Sequence, residues 1–336
     1  MTPAADRFTG CLIGQCLGDA LGFIVEGQPP AACRNYVETL MKSGGAEKGR
    51  RGPFAFGQYS DDSQLARELM RSYAEKGRFD AADYATRIAA IFTENRIVGR
   101  GRATEEAALR LAAGVAWEKA GTPPPSAGNG SAMRAGPVGL MFYDDAAALI
   151  AAAHDQGRIT HADPRCSAGA VAIAGAVALA MDDAPLEASA FLGQLADWAG
   201  SVDSAMADAV GRLVSWLPLP PDEAVTFISR AGLAEGFRDV WTGISPFVIG
   251  SVLWSLYSFL RSPDDYWRSV RTAIAVGGDV DTTAAMTGAI AGARNGLAAI
   301  PAGLARRLND QGTWDYDDLT DLANRVWLLK TGKETP

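Results

Sequence analysis

Histidine and cysteine are scarce in this 336-residue chain. The two histidines, His154 and His161, and the four cysteines, Cys11, Cys16, Cys33 and Cys166, form no CxxC pair and no spacing suited to tetrahedral zinc. Thiols this few read as reduced side chains of a cytoplasmic protein, not as a disulfide frame. A basic surplus is lacking too. The net charge is −8 and the pI about 4.9, which speaks against a nucleic-acid surface but not against one phosphorylated ligand in a local pocket. The longest apolar run, 168–181, lies between Arg165 and Asp182 and falls short of the roughly 20 residues a membrane span needs. The first apolar stretch, 11–25, is interrupted by Gln15 and Asp19 and has no basic lead, so no export signal and no membrane partner are expected. Sustained alternation of β-branched and polar residues is also missing, which removes the usual sign of strands.

What remains is helical. With 48% hydrophobic and 21% charged residues the chain can bury a large core. Segments 62–75, 81–94, 104–119, 144–155, 186–198 and 221–230 mix apolar and polar residues at helical spacing. Two others, 168–181 and 282–299, are rich in Ala and Gly and apolar on nearly every face, which marks them as candidates for central helices. The Pro/Gly-rich stretch 120–130 leads straight into a motif and reads as a functional loop. No linker or fixed-period repeat divides the sequence. The expectation is a single all-α domain over residues 1–336.

Two acidic clusters then stand out, Ser60-Asp61-Asp62-Ser63 and Gly277-Gly278-Asp279-Val280-Asp281-Thr282. Each sets two carboxylates and a hydroxyl at the head of a helical run, with Ser60 placed as an N-cap. Taken singly, each reads as a solvated cap or turn. If the fold brings them together, the carboxylates repel and raise one another's pKa, unless hard divalent cations sit among them. Taken jointly, and with a buried helix after the second cluster, they read as a metal site. Gly128-Asn129-Gly130-Ser131 has little side-chain bulk and can turn backbone N–H groups toward a phosphate; alone it would be an ordinary loop. Arg134 reads either as a partner for the phosphate or as a brace for that loop through a structural carboxylate, and His154 as a surface or helix-end group.

Four segments in this order resemble the ADP-ribosylglycohydrolase family. They are Gly14-Gln15-Cys16-Leu17-Gly18-Asp19-Ala20-Leu21-Gly22 followed by Glu26; Tyr59-Ser60-Asp61-Asp62-Ser63-Gln64; Gly128-Asn129-Gly130-Ser131-Ala132-Met133-Arg134 with Thr160-His161 after it; and Gly277-Gly278-Asp279-Val280-Asp281-Thr282 followed by Gly288 and Gly292. The resemblance implies a compact all-α fold with two Mg²⁺ ions at the bottom of a cleft, Mn²⁺ or Ca²⁺ being acceptable to the same oxygen ligands. It implies Ser60, Asp61, Asp62, Asp279, Asp281 and Thr282 as metal ligands, with serine where the family most often has threonine. Glu26, Asp61 and Asp62 are the implied catalytic carboxylates. Gly128, Asn129, Gly130 and Ser131, with Met133 and His161, correspond to the part that holds the diphosphate and nucleotide. Gly99 and Gly101 fall in a loop at the substrate end. Several arginine-specific members carry an acid where this chain has Val98, and Arg100 and Arg102 add positive charge instead; Glu94 is the nearest upstream acid. That departure leaves the linkage open.

The reaction so implied is hydrolysis of the C1″ glycosidic bond of ADP-ribose carried on a protein side chain or small molecule, releasing ADP-ribose. Two alternatives stand beside it: a catalytically weak ADP-ribose-binding member, and a Mg²⁺-dependent phosphohydrolase acting on another nucleotide.

Overall fold

The computed structural model describes residues 2–237 and 240–333. Among them the chain is helical from Ala5 to Thr331, with one two-stranded hairpin, Arg50–Arg51 against Phe54–Ala55. The all-α class is as expected. No helix among the described residues is long and apolar enough to cross a membrane.

The centre is a helix pair, Ala5–Phe23 and Val280–Asn295, and glycine spacing explains it. Gly10, Gly14, Gly18 and Gly22 recur every fourth residue, so they share one helix face. A Cβ on Gly10 would lie 2.4 Å from Gly292 O, one on Gly14 2.4 Å from Gly288 O, and one on Gly18 2.2 Å from Ala284 O. The second helix answers with its own glycines: a Cβ on Gly288 would lie 2.2 Å from Gly14 O. Nothing larger than hydrogen fits this seam. Every residue from Phe8 to Phe23 is buried, and the Tyr266 hydroxyl, from the neighbouring helix Tyr266–Ala275, donates to Gly14 O at 2.8 Å. Partner numbers fall as the first helix advances, so the helices run antiparallel.

The other Ala/Gly-rich segment is the helix Pro164–Ala180, N-capped by Asp163 and buried from Cys166 to Ala178. It packs on Val280–Asn295, as does Val248–Leu260. The segment 282–299 is therefore central, but its partner is the N-terminal helix rather than 168–181 alone. It also stops early, at Asn295. Gly296 takes φ 74°, and a Cβ there would meet the Asp6 carboxylate at 1.9 Å. Helices Asp61–Lys76 and Ala81–Thr93 match their expected spans closely. The segment 104–119 is broken instead: Arg102–Ala112 ends before Gly114, at φ 84°, and a short turn restarts at Trp117–Ala120.

Candidate active site

Antiparallel packing puts the C-terminal end of Ala5–Phe23 against the first turn of Val280–Asn295, where a Cβ on Gly22 would stand 2.6 Å from Asp281 Cα. The chain leaves that helix through Glu26 and Gly27. The Gly27 N–H donates to Gly278 O at 2.8 Å, and the Gly278 N–H donates to Gln28 O at 3.0 Å. Gly277 and Gly278 sit at φ 79° and 87°, where side chains are strained. On the other flank the Asp279 N–H donates to Ile244 O at 2.8 Å. The outcome is that carboxylate oxygens of Glu26, Asp279 and Asp281 lie within 4.8 Å of one another.

The first cluster is held differently. Ser60 caps the helix Asp61–Lys76; its hydroxyl accepts from the Asp62 N–H at 3.3 Å and donates to Asp62 Oδ2 at 2.9 Å. Asp19, on the first central helix, accepts from the backbone N–H groups of Ser60 (2.9 Å) and Ser63 (3.0 Å). It thus satisfies donors that a helix start leaves unpaired and sets a negative charge at the positive end of the dipole. Gln15 donates to Asp62 O (3.2 Å) and Met133 O (3.1 Å). Gln64 accepts from the Val98 N–H at 2.8 Å and donates to Asp310 at 2.8 Å, while the Asp61 N–H donates to Val98 O at 2.7 Å. Val98 is buried and serves the site through its backbone.

Both clusters open onto one cavity of about 390 Å³, lined by Glu26, Asp61, Asp62, Asp279, Asp281 and Thr282. Burial first, and then neighbouring carboxylates, push Asp61, Asp62 and Asp281 well above the usual carboxylate range. Burial raises Asp279 to about 6 even though Asn129 donates to its Oδ2 at 2.6 Å. Asp19 is likewise raised to about 6 by burial, against the hydrogen bonds it receives. Among the described residues Arg51 is the only cation paired with any of the five lining carboxylates, at 2.9 Å from Glu26. Asp62 Oδ1 is buried with no hydrogen-bond partner. Unneutralised carboxylates around a small cavity, with an orphaned acceptor and an all-oxygen donor set, fit hard divalent cations.

The rest of the cavity is built from bare backbone. Gly99 takes φ 72°, and a Cβ on it would stand 3.0 Å from Asp61 Oδ1; one on Gly101 would stand 3.7 Å from Asp61 Oδ2. Opposite, a Cβ on Gly130 would meet His161 Cε1 at 2.7 Å, and one on Gly128 would meet Nε2 at 3.5 Å. Asn129 between them donates to Asp279 and to Ser251 Oγ at 2.9 Å. The tautomer of His161 follows from its partners. Arg134 Nη2 donates to Thr160 Oγ1 at 2.8 Å, and a guanidinium can only donate. The hydroxyl proton is then free to go to His161 Nδ1 at 2.8 Å. Burial, aided by the Arg134 charge, lowers the ring's pKa to about 3. With Nδ1 accepting from that hydroxyl, a neutral His161 presents an Nε2–H toward Gly128 and Gly130.

Most of the residues singled out in the sequence meet here: Glu26, Asp61, Asp62, Gly99, Gly101, Gly128, Asn129, Gly130, Met133, His161, Asp279, Asp281 and Thr282 all line the cavity. Ser60 and Ser131 do not. Ser60 is turned onto Asp62, and the Ser131 hydroxyl donates to Cys166 O at 2.8 Å. Arg134 is a brace, donating to Gln156 Oε1 and O at 2.9 and 2.8 Å. Sequence reasoning assigned no role to Asp19, Gln15, Gln64, Asp310, Thr104 or Trp241. A carboxylate and an amide inside a glycine-spaced apolar helix were a readable signal for Asp19 and Gln15, because such groups need buried partners. For Asp310 and Trp241 no local pattern existed.

The fold is similar to that of a solved structure titled ADP-ribosylglycohydrolase-related protein complex: TM-score 0.72, 27% identity, covering 98% of this chain and 100% of that one. The model of the family described as ADP-ribosylglycohydrolase matches residues 1–336. The chain belongs to the ADP-ribosylglycohydrolase family and is a hydrolase of that kind. It is 30% identical to the ADP-ribosylhydrolase ARH3 of Xenopus tropicalis over 100% of this chain and 99% of that protein. It is 28% identical to the ADP-ribosylarginine hydrolase Tri1 of Pseudomonas putida (strain GB-1), over 90% of this chain and 74% of the relative.

Proposed function

We propose that this protein is a Mg²⁺-dependent hydrolase that frees ADP-ribose from a modified acceptor by cleaving the C1″ glycosidic bond, the whole chain acting as one domain in a reducing cytoplasm. The observation that carries the reading is the convergence of Glu26, Asp61, Asp62, Asp279 and Asp281 on one cavity whose remaining walls are the glycine loops. The names of the two relatives support ADP-ribose as the group released, and the four cysteines, all unpaired and buried, suit a reducing compartment.

Asp61, Asp62, Asp279, Asp281 and Thr282 would hold two Mg²⁺ ions, with Ser60 behind Asp62. When bound, such ions lower the pKa of a coordinated water and orient ribose hydroxyls. The protein's own groups do the rest. The Gly128–Gly130 loop and the His161 Nε2–H receive the diphosphate and nucleotide part, since N–H donors fixed in a buried site need no reorganisation to bind an anion. Glycine at 99 and 101 lets the distal ribose approach Asp61 with no side chain between. Carboxylates grouped near C1″ stabilise the positive charge that develops as the bond breaks. Proton transfer to the leaving group falls to Glu26, Asp61 or Asp62; Glu26 alone is partly exposed, its side chain 24% accessible, and so in contact with solvent protons.

The test is incubation with Mg²⁺ and peptides ADP-ribosylated on arginine or on serine, with EDTA controls. Metal-dependent release of free ADP-ribose from one of them is expected. Release of AMP or phosphate instead would overturn the reading in favour of a phosphohydrolase, and binding of ADP-ribose without any release would make the protein a binding module.

A further inference from the structure

A cavity larger than the one above lies elsewhere. A groove of about 900 Å³ lies between the helices Pro221–Ile228 and Tyr266–Ala275 and the segment 30–42, and it shares no lining residue with the carboxylate cleft. The two sites stand back to back. Trp241 and Pro246 line the cleft, whereas Gly243 between them lines the groove, and the Gly243 backbone is pressed onto Gly277 of the second acidic loop.

The charge of the groove runs against that of the protein. In a chain of net charge −8 it gathers five cations against three carboxylates. Two of the cations are already neutralised, Arg34 by Asp222 at 3.3 Å and Lys42 by Glu38 at 2.5 Å. The third carboxylate, Asp265, is occupied as a helix cap, accepting from the Arg268 N–H at 2.9 Å. Arg230, Arg268 and Arg271 are left with no carboxylate partner among the described residues, and Arg271 Nε is buried without any hydrogen-bond partner. A buried guanidinium N–H that meets no acceptor within the protein is suited to take one from a ligand. Apolar surface from the half-buried Val225 and Ala275 completes the lining.

We propose that this groove is a second ligand site, separate from the hydrolytic cleft, for a phosphorylated small molecule of nucleotide size. Its phosphate oxygens would lie on Arg230, Arg268 and Arg271, and its apolar body on Val225 and Ala275. Guanidinium groups match phosphate geometry with paired N–H donors, and a volume near 900 Å³ falls within the roughly 300–1,000 Å³ of sites for such ligands.

The experiment is a calorimetric titration of the full chain with inorganic pyrophosphate in EDTA, which involves neither metal nor turnover; since the cleft is itself read as a diphosphate site, the groove's arginine variants tell the two apart. Saturable binding is expected, weakened at least tenfold by Arg271→Gln and by Arg268→Gln and partly restored by Arg271→Lys. Arg268 is exposed, so Arg268→Gln decides the matter if Arg271→Gln fails to fold, as a thermal melt would show. No saturable binding at millimolar pyrophosphate would overturn the proposal. So would binding that ignores both arginine variants, which would put the pyrophosphate in the cleft instead.

Discussion

The two halves of the acidic site are held by opposite means. Asp279 and Asp281 are placed by the absence of side chains: a four-residue glycine repeat lets two helix backbones touch, and the Gly277–Gly278 turn threads between residues 27–28 and Ile244. Asp61 and Asp62 are placed by polar side chains: Asp19 and Gln15 reach in from the first helix, and Gln64 of their own helix holds Val98. One half tolerates no added atom, and the other no lost hydrogen bond. The difference predicts how each will fail.

The severest break is at the glycine seam. Gly18→Val forces a Cβ and two methyl groups into a space where the Cβ alone would lie 2.2 Å from Ala284 O. Both neighbours are backbone and cannot turn aside, so the loss should be at the upper end of overpacking costs, about 3 kcal/mol or more. Thermal or urea unfolding measures it. An unchanged midpoint would mean the central pair is not packed as described. Next come the carboxylates. Asp61→Asn and Asp281→Asn should each lower turnover about 10³-fold while leaving the melting temperature equal to or above that of the parent, because each removes a buried, repelled charge. Full activity in either variant would refute the site.

A smaller effect separates the two halves most sharply. Asp19→Asn keeps one acceptor but turns an amide N–H against the Ser60 or Ser63 N–H it formerly bound. It should weaken Mn²⁺ binding about 10–100-fold, as loss of a supporting partner does, and cost about 1–3 kcal/mol, with residual turnover preserved. Metal titration followed by calorimetry reads the first and urea unfolding the second. Equal metal affinity would mean the first cluster is set by its own helix cap, without help from Asp19.

These outcomes follow the same division as legibility in the sequence. The acid pairs and the helices around them were readable because the relevant information is local: a cap, a first turn, a 3.6-residue period. The Gly-x-x-x-Gly-x-x-x-Gly spacing of the first helix was equally local, yet its use was not evident, since close approach needs a partner and Gly288 and Gly292 lie far along the chain. The clamps were less legible still. Gln64 could be seen in the motif, but its bonds to Val98 and Asp310 exist only once three distant segments fold together. Ser131 shows the converse. It sits in a readable motif, and the fold turns its hydroxyl away to Cys166.

The mildest prediction concerns His161, where the nucleotide end of the cleft meets its brace. The ring is buried beside Arg134 and its pKa is lowered from 6.5 to about 3. Between those values the unfolded chain binds a proton that the folded one refuses, so the histidine makes stability rise with pH across that window and fall as acid is added. Asp19 and Asp279 act in the opposite sense, because their folded pKa values are raised to about 6 and the folded protein holds the extra protons. The total pH dependence therefore does not isolate the ring, but the difference between the parent and His161→Gln does. Unfolding free energies measured in EDTA from pH 6.5 to 4 should fall more steeply in the parent, by at most about 1.4 kcal/mol per pH unit. Parallel curves would mean that the ring accepts a proton in the folded state, and that the hydroxyl of Thr160 does not commit its proton to Nδ1.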